Sequence, residues 1–156
     1  MGRRKSAGAH DHDLDRDVAI KEYLPTGLAV RARDGTTVAP KSEGDTKDFR
    51  YGLKRFLAEA RTLARFREPT IVRVITYLES HGTAYFVMDY EEGESLAERL
   101  KTTVTLSEAS IRGIVAPILR GLSAIHAQQF LHRDIRPQNI YLRRGGLRPV
   151  QVHRVQ

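Results

Sequence analysis

The apolar positions of this chain change period several times, and each change outlines an element. Asp17–Tyr23 (Asp-Val-Ala-Ile-Lys-Glu-Tyr) is a short β-prone run with Pro25 and Gly27 after it, which predicts a strand. Turn formers dominate from Leu24 to Lys47: Pro25, Gly27, Gly35, Pro40 and Gly44. Within them Asp34-Gly35 separates Ala29–Arg33 from Thr36–Ala39, the two-residue signature of a small hairpin. The period then becomes helical. Phe49, Leu53, Phe56, Leu57, Ala60 and Leu63 recur at three- and four-residue steps and predict a helix from about Asp48 to Phe66.

Two β-branched and aromatic runs come next, Ile71–Leu78 and Thr83–Tyr90, joined at Ser80-His81-Gly82. They read as an antiparallel pair. Glu91-Glu92-Gly93 interrupts the pattern, and Glu94–Lys101 predicts a short helix. A longer helix is expected after Ser107 as N-cap, with Ile111, Val115, Ile118, Leu122 and Ile125 on one face and a bend at the internal Pro117. Strands with one helix, a linker and then helices give an α+β chain in two unequal lobes.

Composition narrows the functional classes. A chain of 156 residues with 40% apolar and 29% charged side chains has the make-up of one globular domain. It contains no cysteine, which excludes disulfides and thiolate sites and suits a reducing cytoplasm. No apolar run reaches the ~18 residues of a membrane span. The net charge of +7 is unevenly placed. Arg3, Arg4 and Lys5 at one end and Arg143, Arg144, Arg148 and Arg154 at the other supply all of it, since the 19 basic residues from Asp11 to Asn139 match the chain's 19 acids. A balanced middle argues against a nucleic-acid-binding face spread over the domain.

The candidate chemistry lies directly after the long helix. His132-Arg133-Asp134-Ile135-Arg136-Pro137-Gln138-Asn139 has the H-R-D-x-x-x-x-N pattern, and here the chain resembles the protein kinases. Phosphoryl transfer needs a carboxylate to take the proton of the attacking hydroxyl, cations to hold phosphates and oxygen ligands for magnesium. The resemblance implies these roles for Asp134, for Arg136 near the transferred phosphate and for Asn139 as the metal ligand. Upstream, Val18-Ala19-Ile20-Lys21 matches the V-A-I-K strand. Glu59, three residues after Phe56 and four before Leu63, lies at the edge of the buried stripe and is the expected partner of Lys21. By the same resemblance Met88 stands behind the adenine site, and the backbone of Asp89–Glu91 binds adenine. The motifs occur in kinase order, and Glu22-Tyr23-Leu24-Pro25 with the hairpin insert resembles a bacterial Ser/Thr subgroup.

The fold implied is α+β and protein-kinase-like, with a partial N-lobe of antiparallel strands plus one helix and only the first part of the helical C-lobe. It divides the chain into four segments: a basic N-terminus (1–12), the partial N-lobe (13–90), hinge and early C-lobe with the catalytic loop (91–144), and a basic tail (145–156). The implied function is ATP- and magnesium-dependent phosphoryl transfer to Ser/Thr hydroxyls of protein substrates. Two family parts are missing. Only Gly2 and Gly8 precede Lys21, too few for a glycine-rich phosphate loop, and no Asp, Glu or Phe comes after Asn139 to form the D-F-G metal segment. The expectation is therefore a truncated, inactive kinase domain whose ends mark a reading-frame shift or a gene rearrangement. The alternative is a non-catalytic remnant that binds nucleotide or a partner weakly. His10-Asp11-His12-Asp13 is expected to be an inter-strand turn and not a metal cluster.

Overall fold

The computed structural model describes residues 6–103, 105–144 and 151–152, with backbone alone for Ser6, Ala7, Gln151 and Val152. The chain separates into two compact units: Met1–Ala64 with Val74–Tyr90, and Arg65–Arg73 with Glu91–Gln156. The expected basic ends lie largely outside the described residues.

The first unit contains strands β1 (Ser6–Asp11), β2 (Arg16–Glu22), β3 (Ala29–Arg31) and β4 (Val38–Pro40), helix α1 (Thr46–Leu63), and strands β5 (Val74–Ser80) and β6 (Thr83–Asp89). Its main sheet has the order β1-β2-β6-β5, and every neighbouring pair is antiparallel. The strand expected at Asp17–Tyr23 is β2. Residues 6–11, assigned from sequence to a separate N-terminal segment, pair along their whole length with β2, from Ser6↔Lys21 to Asp11↔Arg16. Small side chains had hidden this strand, since Ala-Gly-Ala gives no apolar alternation to read.

The main core forms where α1 covers the sheet. Phe49, Phe56, Leu57, Ala60 and Leu63 are buried on the helix, and Phe86 and Met88 are buried on β6. Phe56 lies 4.7 Å from Phe86 between ring centroids, while Tyr23 lies 5.3 Å from Phe49 and 5.6 Å from Phe56. Each such side chain taken from water contributes about 1.5–3 kcal/mol. The helix ends at Leu63, three residues earlier than expected. The β5–β6 connection is a two-residue turn in which His81 (φ 52°) and Gly82 (φ 71°) are both left-handed, the geometry that matches strand twist. The other expected hairpin forms differently. Its strands stop at Arg31 and resume at Val38, because the Asp34 carboxylate takes the backbone N–H groups of Thr36 (2.8 Å) and Thr37 (2.9 Å) and rolls the residues between into a loop.

The second unit contains strand β7 (Gly93–Ser95), helices α2 (Leu96–Thr102) and α3 (Glu108–Ala127), and strands β8 (Ile140–Arg143) and β9 (Gln151–Val152), with sheet order β7-β8-β9. Strand β9 falls where no pattern was legible. The run Ile71–Leu78 is divided: Val74 onward pairs with β6, whereas Ile71 and Val72 are buried members of the second unit. A Cβ placed on Gly121 would stand 2.6 Å from Thr70 Oγ1, so glycine lets this segment lie close on α3.

Ser107 caps α3 as expected, accepting from the Ser110 N–H at 3.2 Å, and the helix runs unbroken through a buried Pro117. Its buried arc is rotated from the expected one. Pro117, Ile118, Gly121 and Ile125 are buried, while Ile111 and Val115 are 46% and 42% exposed. Ile118 and Ile140 form a small core with Leu96, Ile114, Leu122 and Leu142 packed around it.

Candidate active site

Lys21 is the sixth residue of β2 and lies opposite Phe86 of β6. Phe86 is fully buried, and the Lys21 ammonium stands 4.7 Å from its ring centroid, over the negative face of the π-system. Glu59 is brought to Lys21 by the helix period. Burial of Phe56, Leu57, Ala60 and Leu63 turns the flank carrying Glu59 toward the sheet. Lys21 Nζ donates to Glu59 Oε1 at 3.2 Å, with the two side chains 10% and 6% exposed. In so dry a setting each charge needs a counter-charge, and the pair is an obligatory unit.

Met88 is 2% exposed near the end of β6, in register with Ala19 and Val74. Asp89 closes the strand opposite Val18. Glu91 lies in the second unit and forms an ion pair with the Arg143 guanidinium. The Arg144 N–H donates to the Glu92 carbonyl at 2.6 Å, so the end of β8 holds the segment after Tyr90 by both side chain and backbone. Gly93 is required in this pairing. Its φ is 156°, and a Cβ there would stand 2.0 Å from the Leu142 carbonyl oxygen.

The loop 132–139 is organised around Asp134. His132 is 2% exposed and its Nδ1 accepts the Asp134 backbone N–H at 3.2 Å. Arg133 takes a left-handed φ of 56°, which turns the chain between a buried histidine and the aspartate. Asn139 Nδ2 donates to the Asp134 carbonyl (2.8 Å) and to its Oδ2 (2.9 Å), while Arg136 Nε lies 3.3 Å from the other carboxylate oxygen, Oδ1. A single turn of 3-10 helix, Pro137–Asn139, sets the return, and buried Ile140 anchors the start of β8. One Asp134 carboxylate oxygen thus accepts a hydrogen bond from a neutral amide, and the other has a cation within ion-pair distance.

Structure therefore brings together two sets of the expected residues, Lys21 with Glu59 and Asp134 with Arg136 and Asn139. Sequence reasoning missed His132 as the support of the loop and Arg143 as the partner of Glu91. A buried histidine ahead of Asp134 carries no periodic signal, and Glu91 and Arg143 meet only through the β7–β8 pairing. His10 contacts Asp17 (3.0 Å) and Asp15 (3.3 Å) across the β1–β2 turn, and among the described residues no three His, Asp or Glu side chains converge as a metal site.

An antiparallel sheet whose Lys21 forms a buried pair with Glu59 of the helix packed on it, and a helical unit carrying an H-R-D-x-x-x-x-N loop, define a protein-kinase-like fold. Residues 26–149 match the family described as "Protein kinase domain". The chain belongs to the protein kinase family. Serine/threonine-protein kinase B of Synechocystis sp. is 35% identical over 109 residues, covering 69% of this chain and 19% of that protein. The probable serine/threonine-protein kinase pknA2 of Bifidobacterium longum is 34% identical over 137 residues, covering 84% of this chain and 18% of that protein. The solved structure titled "PpkA-294 apo form" superposes with a TM-score of 0.91 at 34% identity, over 98% of this chain and 54% of that one. The chain thus spans about a fifth of these curated relatives and about half of the solved chain.

Proposed function

We propose that this chain is part of a serine/threonine protein kinase catalytic domain, which transfers the γ-phosphoryl group of ATP to protein hydroxyls, and that the 156 residues alone have negligible activity. The carrying observation is the Asp134 carboxylate gripped by Asn139 and Arg136. In this reading Asp134 orients the substrate hydroxyl and accepts its proton, and Asn139 keeps the carboxylate aimed. Arg136 supplies positive charge beside the acceptor. Lys21, held by Glu59, presents an ammonium to phosphate oxygens, and the backbone of Asp89–Glu91 in front of Met88 takes adenine. Each unit carries its own share of the chemistry.

The residues present fit nucleotide better than metal. A buried ammonium with a fixed carboxylate suits polyphosphate. With its Nδ2 committed to Asp134, Asn139 has one amide oxygen left to offer magnesium, and nothing after Asn139 in this sequence is a side-chain carboxylate. The Asp134 carboxylate beside it is the other oxygen donor these residues would offer magnesium, which usually draws on one or two carboxylates besides phosphate oxygens. Loss of a single charge stabiliser in phosphoryl transfer costs about 10³–10⁵ in rate. A second reading is a nucleotide-binding module without catalysis, favoured by the buried Lys21–Glu59 pair, which can present an ammonium to phosphate oxygens whether or not transfer follows.

A thermal-shift titration with Mg·ATP, run beside a radiolabelled transfer assay, tests both. The expected outcome is a saturable rise in Tm that Lys21→Met removes, with transfer at background. ATP-dependent phosphorylation abolished by Asp134→Ala would overturn the inactive reading. An absent Tm shift would overturn nucleotide binding.

A further inference from the structure

Helix α1 has two faces, and the Lys21–Glu59 site uses only one. At 100° per residue, Lys47, Arg50, Tyr51, Lys54, Arg55 and Arg61 fall within an arc of about 140°, opposite Phe49, Phe56, Ala60 and Leu63. All six are exposed, Tyr51 to 62%. The arc runs about 21 Å along the helix at 1.5 Å per residue. The two acids of α1 are Asp48 in the first turn and Glu59, which is buried. Two aromatic groups brace the cations: Arg55 donates to Tyr51 Oη at 3.1 Å, and Arg61 donates to Tyr77 Oη at 3.1 Å with its guanidinium 5.4 Å from that ring. Held in place, these guanidinium groups lose less side-chain entropy on meeting a carboxylate.

The rest of the unit has the opposite sign. Outside α1, its described residues include five basic and ten acidic side chains. Among the described residues of this unit, positive charge is therefore concentrated on one narrow helix face. We propose that this outward face of α1 docks an acidic segment of a partner protein. Alternate side chains of an extended peptide repeat every 6.6–6.8 Å or so, close to the 5–6 Å between neighbours on a helix face, so three or four carboxylates fit the stripe of about 21 Å. The excess of acids over bases among the described residues outside α1 in this unit disfavours a long nucleic acid strand. A bilayer needs an apolar face beside the basic one, and the apolar face of α1 is buried in the core.

Fluorescence anisotropy on the full 156-residue chain, with a fluorescein-labelled peptide of alternating Glu and Ser, tests the proposal. The peptide is expected to bind saturably, and its Gln/Ser counterpart is not. Lys47→Gln/Arg50→Gln/Lys54→Gln is expected to weaken binding about tenfold at low salt, and Arg33→Gln/Lys41→Gln to leave it unchanged. Salt should weaken binding to the unaltered chain, a readout that does not depend on any variant folding. Equal affinity of the triple variant and the unaltered chain overturns the proposal. So does insensitivity to salt, or tighter binding of oligothymidylate or phosphatidylserine vesicles than of the peptide.

Discussion

Lys21 and Glu59 illustrate how far single residues could be read. Glu59 was legible because its distance from Phe56 and Leu63 fixes which flank of the helix it occupies; Lys21 was legible from its motif. Their mutual burial was not, and it decides their energetics. Removing one member of a buried pair costs about 3–5 kcal/mol, while replacing both with apolar residues of similar size is close to neutral. Lys21→Met and Glu59→Leu are each expected to lower stability by that amount in urea unfolding, and the double variant to lose less than either. Asp34 gives a prediction in pH. The Thr37 hydroxyl, then the N–H groups of Thr36 and Thr37, hold its carboxyl down at about 2 from an ordinary 3.8. A lowered carboxyl stabilises the fold above pH 3.8, and that contribution disappears as pH falls through about 2. The amide resonances of Thr36 and Thr37 should therefore keep their native shifts at about pH 4 and move with a midpoint near 2; a midpoint near 3.8 would show that the loop bonds do not form.

Elements were read well where local chemistry defines them. Helix α2 begins with a capping box: Ser95 accepts the Glu98 N–H at 3.1 Å, and the Glu98 carboxylate takes the Ser95 N–H at 2.8 Å. Ser95→Ala is expected to cost about 1 kcal/mol and to speed hydrogen exchange across the first turn of α2. Helix α3 shows the limit of periodic reading. Its apolar residues spread over more than half the circumference, so several stripes were compatible with the sequence. Contacts selected the arc that includes Gly121, since only a glycine lets Thr70 approach so closely. Gly121→Ala should destabilise by about 1–3 kcal/mol in thermal unfolding even though alanine favours helix. A neutral or stabilising result would show that the segment can move aside.

At the scale of the whole molecule, exposed apolar residues on α3 bear on solution behaviour beside the net charge. Ile111, Val115 and Leu119 are 46%, 42% and 57% exposed and succeed one another at four-residue steps along α3. A contiguous apolar stripe on a surface favours association. Val115→Glu/Leu119→Glu is expected to raise the concentration at which the chain stays monodisperse in light scattering, without lowering Tm. The charge of +7 is less informative than its placement. Of the ends that carry the surplus, Arg143 pairs with Glu91 and most of the rest lies outside the described residues; the densest described basic patch is the stripe on α1.

The sequence by itself determined the family, the order of the elements and the identity of the residues around Lys21 and Asp134, because motifs and helical periods are local and survive without any knowledge of packing. Tertiary structure alone decided that residues 6–11 belong to the sheet, that Ile71 and Val72 part from the strand next to them in the chain, and that Asp134 is gripped on both oxygens. It also chose the arc of α3 that is covered. The reason is common to all four: each depends on pairing or packing between segments that do not neighbour one another along the chain, or on a loop whose shape has no period to read.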